Sequence, residues 1–205
     1  MKPKYWNKGK SYLSNKDNVL KSIIKNFPDE YLQLNKNYYH ALLNSIIGQQ
    51  ISVSAAQAIK NRFFNLHKDI KPNNVLKLNE IVLKQCGLSK QKISYIYNVS
   101  NFFLKNKNFI SNIDLYDEII IKEKLISIKG IGNWTIDMFL LFSIGNANIF
   151  PSGDLGFIKA ISKSYKKKLP LKESYLKNLK NKWTPYSSIA TWYLWRSLDP
   201  IPVSY

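Results

Sequence analysis

Apolar residues in this chain recur three and four positions apart, in run after run, and each run stops at a glycine or proline within a few turns. Val19, Leu20, Ile23, Ile24 and Phe27 keep this spacing up to Pro28, and Tyr39, Leu42, Leu43, Ile46 and Ile47 keep it up to Gly48. That period puts the apolar side chains on one stripe of an α-helix, whereas a half-buried strand would alternate every second residue. A further helix is expected to start at Ser52 or Ser54, both good N-cap residues, with Ala55, Ala58, Ile59, Phe63 and Leu66 on its inner side. Others fit residues 74–85, 90–105, 117–127, 133–143, 155–165, 173–181 and 186–198. The most strand-like run, Ile119-Ile120-Ile121, has helical neighbours. The pattern predicts an all-α fold of short helices in one compact body or two packed lobes.

Composition narrows the class. Of 205 residues, 45% are hydrophobic and 21% charged, enough for a sizeable core and against wholesale disorder. No apolar run approaches the roughly 18 residues that span a bilayer, so no membrane association is expected. The basic N-terminus lacks an apolar segment behind it and does not read as a secretory signal. A single cysteine, Cys86, excludes an internal disulfide, a Cys-ligated zinc and a Cys-ligated iron–sulfur cluster, and fits a reducing cytoplasm. The net charge is +18. Such an excess favours a polyanion, because neutralised phosphates release counterions. The basic residues are 29 Lys and only 2 Arg, however, and abundant Lys, Asn and Ile also follow from A/T-rich codons. Charge alone therefore leaves the partner open.

Three segments carry chemistry. Between two helices lies Gly130-Ile131-Gly132, followed by Asn133-Trp134-Thr135. Two glycines around an apolar residue permit a tight hairpin with positive φ, with Ile131 tucked inward. Amides at the next helix's N-terminus then make an anion pocket that suits a DNA phosphate. A plain helix C-cap followed by a turn is the commoner explanation of a lone Gly-x-Gly; the flanking helices and the basic chain speak for the phosphate site here. In the second segment, Pro151-Ser152-Gly153 delivers Asp154 to the start of a helix bearing Leu155, Ile158 and Ile161. Asp154 is an N-cap by base rate, and a fixed carboxylate there is also what a cation-like transition state needs. The third segment is aromatic: Trp134 and Met138 share a helix face, and Trp183, Tyr186, Trp192, Tyr193 and Trp195 crowd the C-terminal region. Each ring is core by default; any that line a cleft would sandwich an extruded base, a cationic one most strongly. His40 and His67 stand in no metal-ligand or triad spacing, and no carboxylate cluster for Mg²⁺ is apparent.

Taken in order, four pieces resemble the helix-hairpin-helix (HhH-GPD) DNA glycosylase superfamily, and within it the 3-methyladenine DNA glycosylase II branch. They are Ile46-Ile47-Gly48-Gln49-Gln50-Ile51-Ser52 with Ala55-Ala56, Gly130–Thr135, Phe150–Gly156, and residues 183–190 with Tyr193-Leu194-Trp195. The resemblance implies two helical lobes with a DNA-binding cleft between them: residues 37–146, containing the hairpin, and residues 1–36 with 147–205. It implies Asp154 as the catalytic carboxylate, and Trp134, Met138 and Trp195 as walls of a base pocket. Gly130, Ile131, Gly132, Asn133 and Thr135 would bind DNA. Gln50 would fill the gap left by a flipped nucleotide. No cofactor is required and no iron–sulfur cluster is expected; a structural Na⁺ or K⁺ would sit at the carbonyls of Ile126, Ile128 and Ile131. Some relatives carry an extra N-terminal β-rich domain, for which this chain has no room.

The implied activity is hydrolytic removal of alkylated purines from damaged double-stranded DNA by a monomer, in the cytoplasm or on the bacterial nucleoid. Relatives that also cut the strand place a Lys at the position of Trp134, and tryptophan forms no Schiff base, so a monofunctional enzyme is implied. Two residues depart from the family's pattern: Ser187 stands where relatives often have Arg, and Ile136 where a small residue is usual. The competing expectations are a non-catalytic helix-hairpin-helix DNA-binding module, an RNA-binding helical protein, and a glycosylase for a neutral deaminated or oxidised base.

Overall fold

The computed structural model describes residues 1–199, apart from the Val53 side chain. Among these residues the chain is all-α, with no strand. Its helices are α1 (Trp6–Lys16), α2 (Asn18–Asn26), α3 (Tyr38–Gly48), α4 (Val53–Phe64), α5 (Pro72–Val75), α6 (Glu80–Gln85), α7 (Lys90–Lys105), α8 (Lys107–Ser111), α9 (Glu118–Ile126), α10 (Asn133–Phe139), α11 (Leu155–Ser164), α12 (Glu173–Trp183) and α13 (Ser187–Arg196). No helix is long and apolar enough to cross a membrane among the described residues.

Contacts divide the chain into two compact units. Among the described residues, one joins Met1–Asn35 to residues 140–199; the other is Lys36–Phe139. The expected lobes put residues 140–146 with the hairpin. In the structure this stretch belongs to the first unit, where the Asn35 N–H donates to the Phe142 carbonyl at 2.8 Å. Residues 200–205, expected in the same lobe as the N-terminus, lie outside the described residues. The stretch Leu140–Ile144 winds as a π-helix, with the Gly145 N–H reaching back five residues to the Leu140 carbonyl at 2.9 Å.

In the hairpin-bearing unit, α3 is buried along Tyr39, Leu42, Leu43, Ile46 and Ile47 and packs on α7, α4 and α10. Ser52 caps α4, its Oγ accepting the Ala55 N–H at 3.2 Å. The inner face of α4 differs from the expected one. Ala56 and Phe63 are buried and Ile59 half-buried, while Ala55 and Ala58 are exposed. The helix expected over 74–85 is two short ones, because the Asn79 side chain accepts the Ile81 N–H and starts a new helix at Glu80. The Ile119-Ile120-Ile121 run is helical, within α9. Arg62 donates from Nε to the Cys86 carbonyl at 2.9 Å.

The other unit packs α1 and α2 on α13, with α11 and α12 alongside. Helix α1 has a weak apolar pattern, yet it buries Trp6 and Leu13 completely. Arg196 on α13 makes a two-pronged bond to Glu30, Nε to Oε2 at 2.5 Å and Nη2 to Oε1 at 2.8 Å. The polar centre of this unit is Asp17, 2% exposed. Its Oδ1 caps α2 by accepting the Val19 and Leu20 N–H groups at 3.0 and 3.2 Å. Its Oδ2 accepts from Tyr165 (2.9 Å), the Trp183 indole (3.1 Å) and Lys182 (2.9 Å), which ties α2 to the end of α11 and to α12. Burial disfavours the charge, but the donors from Lys182, Trp183, Leu20 and Tyr165 outweigh it and hold the carboxyl below its ordinary range.

A group depressed in this way adds stability above the unfolded carboxyl value of about 4, and that contribution is lost as pH falls through the native value. Asp17→Asn is expected to cost about 3 kcal/mol or more at pH 7, because buried donors lose an ionised acceptor. It should also flatten the acid limb of the stability curve below about pH 4. Urea unfolding of both proteins across pH 2–7 measures this; parallel curves would exclude Asp17 as the acid-sensitive group.

Candidate active site

Asp154 stands at the N-terminus of α11, and two backbone bonds set it there. The Ser152 N–H donates to the Phe150 carbonyl and the Asp154 N–H to the Pro151 carbonyl, both at 2.9 Å, closing a turn over Pro-Ser-Gly. With extended backbone (φ −86°, ψ 117°), Asp154 caps the helix: its Oδ1 accepts the Phe157 N–H at 2.6 Å. The same oxygen accepts the Trp195 indole N–H at 3.1 Å, delivered from α13. The Trp195 ring is held in turn, stacked on Phe142 at 6.0 Å and 15° and edge-on to Phe157 at 6.3 Å and 69°. A Cβ on Gly156 would lie 3.1 Å from Asp154 Oδ1, so a side chain there would crowd the carboxylate. Asp154 itself is half-buried, between the exposed Gly153 and the exposed Leu155.

Trp195 was expected as a pocket wall. It is only 6% exposed, and its role in this unit is to grip the carboxylate. Ser187, at the start of α13, is fully buried and donates to Asn148 Oδ1 at 2.7 Å, so a packing bond occupies the place of the family's Arg.

The second set of residues lies in the hairpin-bearing unit. Gly130 has φ +106°, and a Cβ on it would lie 2.1 Å from the Tyr95 ring; both facts demand glycine. Gly132 differs from the expectation. It lacks a positive φ, and a Cβ on it would meet nothing within 4 Å. The fold does not need glycine there; it leaves exposed space before the first amides of α10. Asn133 is exposed beside it.

Of the hairpin residues expected to bind DNA, Ile131 is tucked inward and Thr135 has its side chain in the interior. Ile131 is 5% exposed and its N–H is used by the Ile128 carbonyl at 3.0 Å. Thr135 is 1% exposed, with Oγ1 accepting from Gln49 at 3.3 Å. Of the expected pocket residues on α10, Trp134 is half-buried and offers surface, whereas Met138 is 1% exposed and belongs to the core. Ile136, a residue that departs from the family's pattern, is also core, at 2%.

Gln50 is exposed and carries φ 57°, a left-handed conformation that costs a non-glycine residue energy. Its neighbour Gln49 has no role assigned by the sequence motifs. Its side-chain amide is bonded to the hairpin, donating to the Gly130 carbonyl at 3.1 Å. The adjacent pair of glutamines after Gly48 was the available signal. Among the described residues no group of three or more His, Cys, Asp or Glu is placed to hold a metal ion.

A model of the "HhH-GPD superfamily base excision DNA repair protein" family matches residues 43–185, spanning the Gln49-Gln50 loop, the hairpin and Asp154. The chain belongs to the HhH-GPD superfamily. "Putative DNA-3-methyladenine glycosylase YfjP" of Bacillus subtilis (strain 168) is 31% identical over 189 residues, covering 88% of this chain and 66% of that protein. DNA-3-methyladenine glycosylase 1 of Schizosaccharomyces pombe is 28% identical over 204 residues, covering 93% of this chain and 86% of that one. The solved structure of the Schizosaccharomyces pombe 3-methyladenine DNA glycosylase with abasic DNA superposes with a TM-score of 0.82 at 24% identity, over 93% of this chain and 96% of that one. The all-α architecture is thus the HhH-GPD glycosylase fold.

Two glycines of the HhH-GPD hairpin are expected to respond differently to substitution. Gly130→Ala should lower stability, by more than about 1 kcal/mol, because it meets both strain and the Tyr95 ring. Gly132→Ala should leave thermal unfolding unchanged and weaken duplex DNA binding, since its methyl group projects only into open space. Thermal melts paired with binding isotherms decide the matter; equal behaviour of the two variants would refute the distinction.

Proposed function

We propose that this HhH-GPD chain is a monofunctional DNA glycosylase that excises alkylated purines of the 3-methyladenine type from damaged double-stranded DNA. The observation that carries the reading is Asp154, a half-buried carboxylate whose Oδ1 is fixed by the Phe157 N–H and the Trp195 indole. The names of the Bacillus and fission-yeast relatives support the substrate class.

In this reading, lysines bring the protein onto DNA and the phosphate backbone docks at Gly132 and Asn133. Gln50 enters the space vacated by the flipped nucleotide, whose weakened pairing lowers the cost of extrusion. Trp134 supplies aromatic surface for a cationic base. A purine methylated at N3 or N7 is already positive. When the bond from its nitrogen to the sugar C1′ breaks, both electrons go to the base, which leaves neutral. Positive charge then develops on the sugar, and Asp154 stabilises it without reorganising, because its donors already hold it in place. Water adds its oxygen to C1′ and gives up a proton to Asp154 or solvent, leaving an abasic site. With Trp134 in place of a lysine, the strand stays intact.

In this reading the carbonyls of Ile126, Ile128 and Ile131 would hold a Na⁺ or K⁺, since neutral backbone oxygens suit a hard cation. The neighbouring carbonyls of Lys129 and Gly130 are taken by Asn98 and Gln49, and Ile128 shares its oxygen with the Ile131 N–H. When bound, such an ion supplies positive charge beside a docked phosphate. A monomer acting in the cytoplasm completes the proposal.

The test is single-turnover release of 3-methyladenine and 7-methylguanine from alkylated duplex DNA, alongside a panel of deaminated and oxidised bases. Asp154→Asn is expected to slow excision by at least about 10²-fold with duplex binding retained. Equal rates would remove Asp154 from the chemistry. No release of any base by the wild type would leave a DNA-binding module.

A further inference from the structure

We propose that Gln49 is a positioning residue that locks the hairpin turn to the loop carrying Gln50, so that both loops meet DNA in one fixed register. This rests on the reading that the hairpin and Gln50 engage DNA. The Gln49 Nε2 donates to the Gly130 carbonyl at 3.1 Å and to Thr135 Oγ1 at 3.3 Å. It therefore holds the turn before Ile131 and the first turn of α10 with a single amide. The backbone of the same residue closes α3, its N–H donating to the Ile46 carbonyl at 3.2 Å, and the next residue is the left-handed Gln50. The strained residue is thus anchored immediately before its own Cα.

Helix α7 braces the same two loops. Lys92 donates to the Ile47 carbonyl at 2.7 Å, at the end of α3. Burial pushes that lysine below its ordinary range. Tyr95 lies against Gly130 and accepts from Gln91 at 2.5 Å, and Asn98 donates to the Lys129 carbonyl at 3.0 Å. Gln49 is the direct tie between the two loops within this framework. A primary amide suits the position because one nitrogen carries two hydrogens for two acceptors. Glutamate has the same shape but would set an oxygen against the Gly130 carbonyl.

The experiment is a double-mutant cycle of Gln49→Glu and Gln50→Ala, read by single-turnover excision from alkylated duplex DNA and by thermal unfolding. Misplacement on the order of 1 Å costs up to about 10²-fold, so Gln49→Glu should slow excision by about 10-fold or more at a temperature where its melt shows it folded. In the Gln50→Ala background the same change should cost less than about 2-fold, because no Gln50 side chain remains to misplace. Gln49→Leu, which adds no repelling oxygen, should behave alike if Gln49→Glu fails to fold. Additive effects, or excision rates equal to wild type, would overturn the proposal. If the wild type releases no base, the glycosylase reading fails separately; the same four proteins compared by duplex affinity then decide the coupling, additivity again overturning it.

Discussion

A carboxylate at the start of a short helix stays put only when the helix supplies an N–H and something beyond the helix supplies a second donor. One unit of this protein uses that device twice, with opposite results. Asp17 is saturated on both oxygens by five donors and is 2% exposed, so its charge is spent on holding α2, α11 and α12 together. At Asp154 the backbone N–H and the indole N–H converge on Oδ1, and the residue remains half-buried between exposed neighbours. The same chemistry makes a structural knot in one place and a fixed anion near the surface in the other. An anion already held by its donors needs no rearrangement when positive charge appears beside it.

The hairpin obeys a complementary constraint. Its inner side is closed by Ile131, Thr135, Tyr95 and the Gln49 amide, and its outer side is left bare at Gly132 and Asn133. A turn that presents backbone amides needs internal rigidity, because amides have no side chain with which to adapt. Much of the surrounding polarity, including the Lys129 and Gly130 carbonyls, is used to supply it.

Helical spacing and the Gly and Pro breaks made the all-α class legible, and four short motifs in order made the family legible. Ser52 and Asp154 were readable as caps because a small polar side chain before an apolar run has a mechanism behind it. What escaped the sequence depended on tertiary contacts. Helix α1 is polar along most of its length, and its two anchors, Trp6 and Leu13, find partners only once the C-terminal helices return. Periodicity says that α4 has an inner face but leaves a rotation of one residue undecided, hence Ala56 rather than Ala55. Met138, Trp195 and Thr135 carry types that suit a binding surface, and their burial could not be read from residue type. A Gly-x-Gly pattern likewise does not reveal which glycine serves the fold and which leaves open space.

Both arginines are committed within the protein, Arg62 to the Cys86 carbonyl and Arg196 to Glu30. With 29 of the 31 basic residues lysines, the positive field that the molecule shows to a polyanion comes mostly from ammonium groups on flexible stems. Such groups attract without imposing a planar, two-pronged geometry, and they read no base edge with the fork of a guanidinium. Attachment of this kind depends little on sequence and is easily displaced by salt, which favours movement along a duplex.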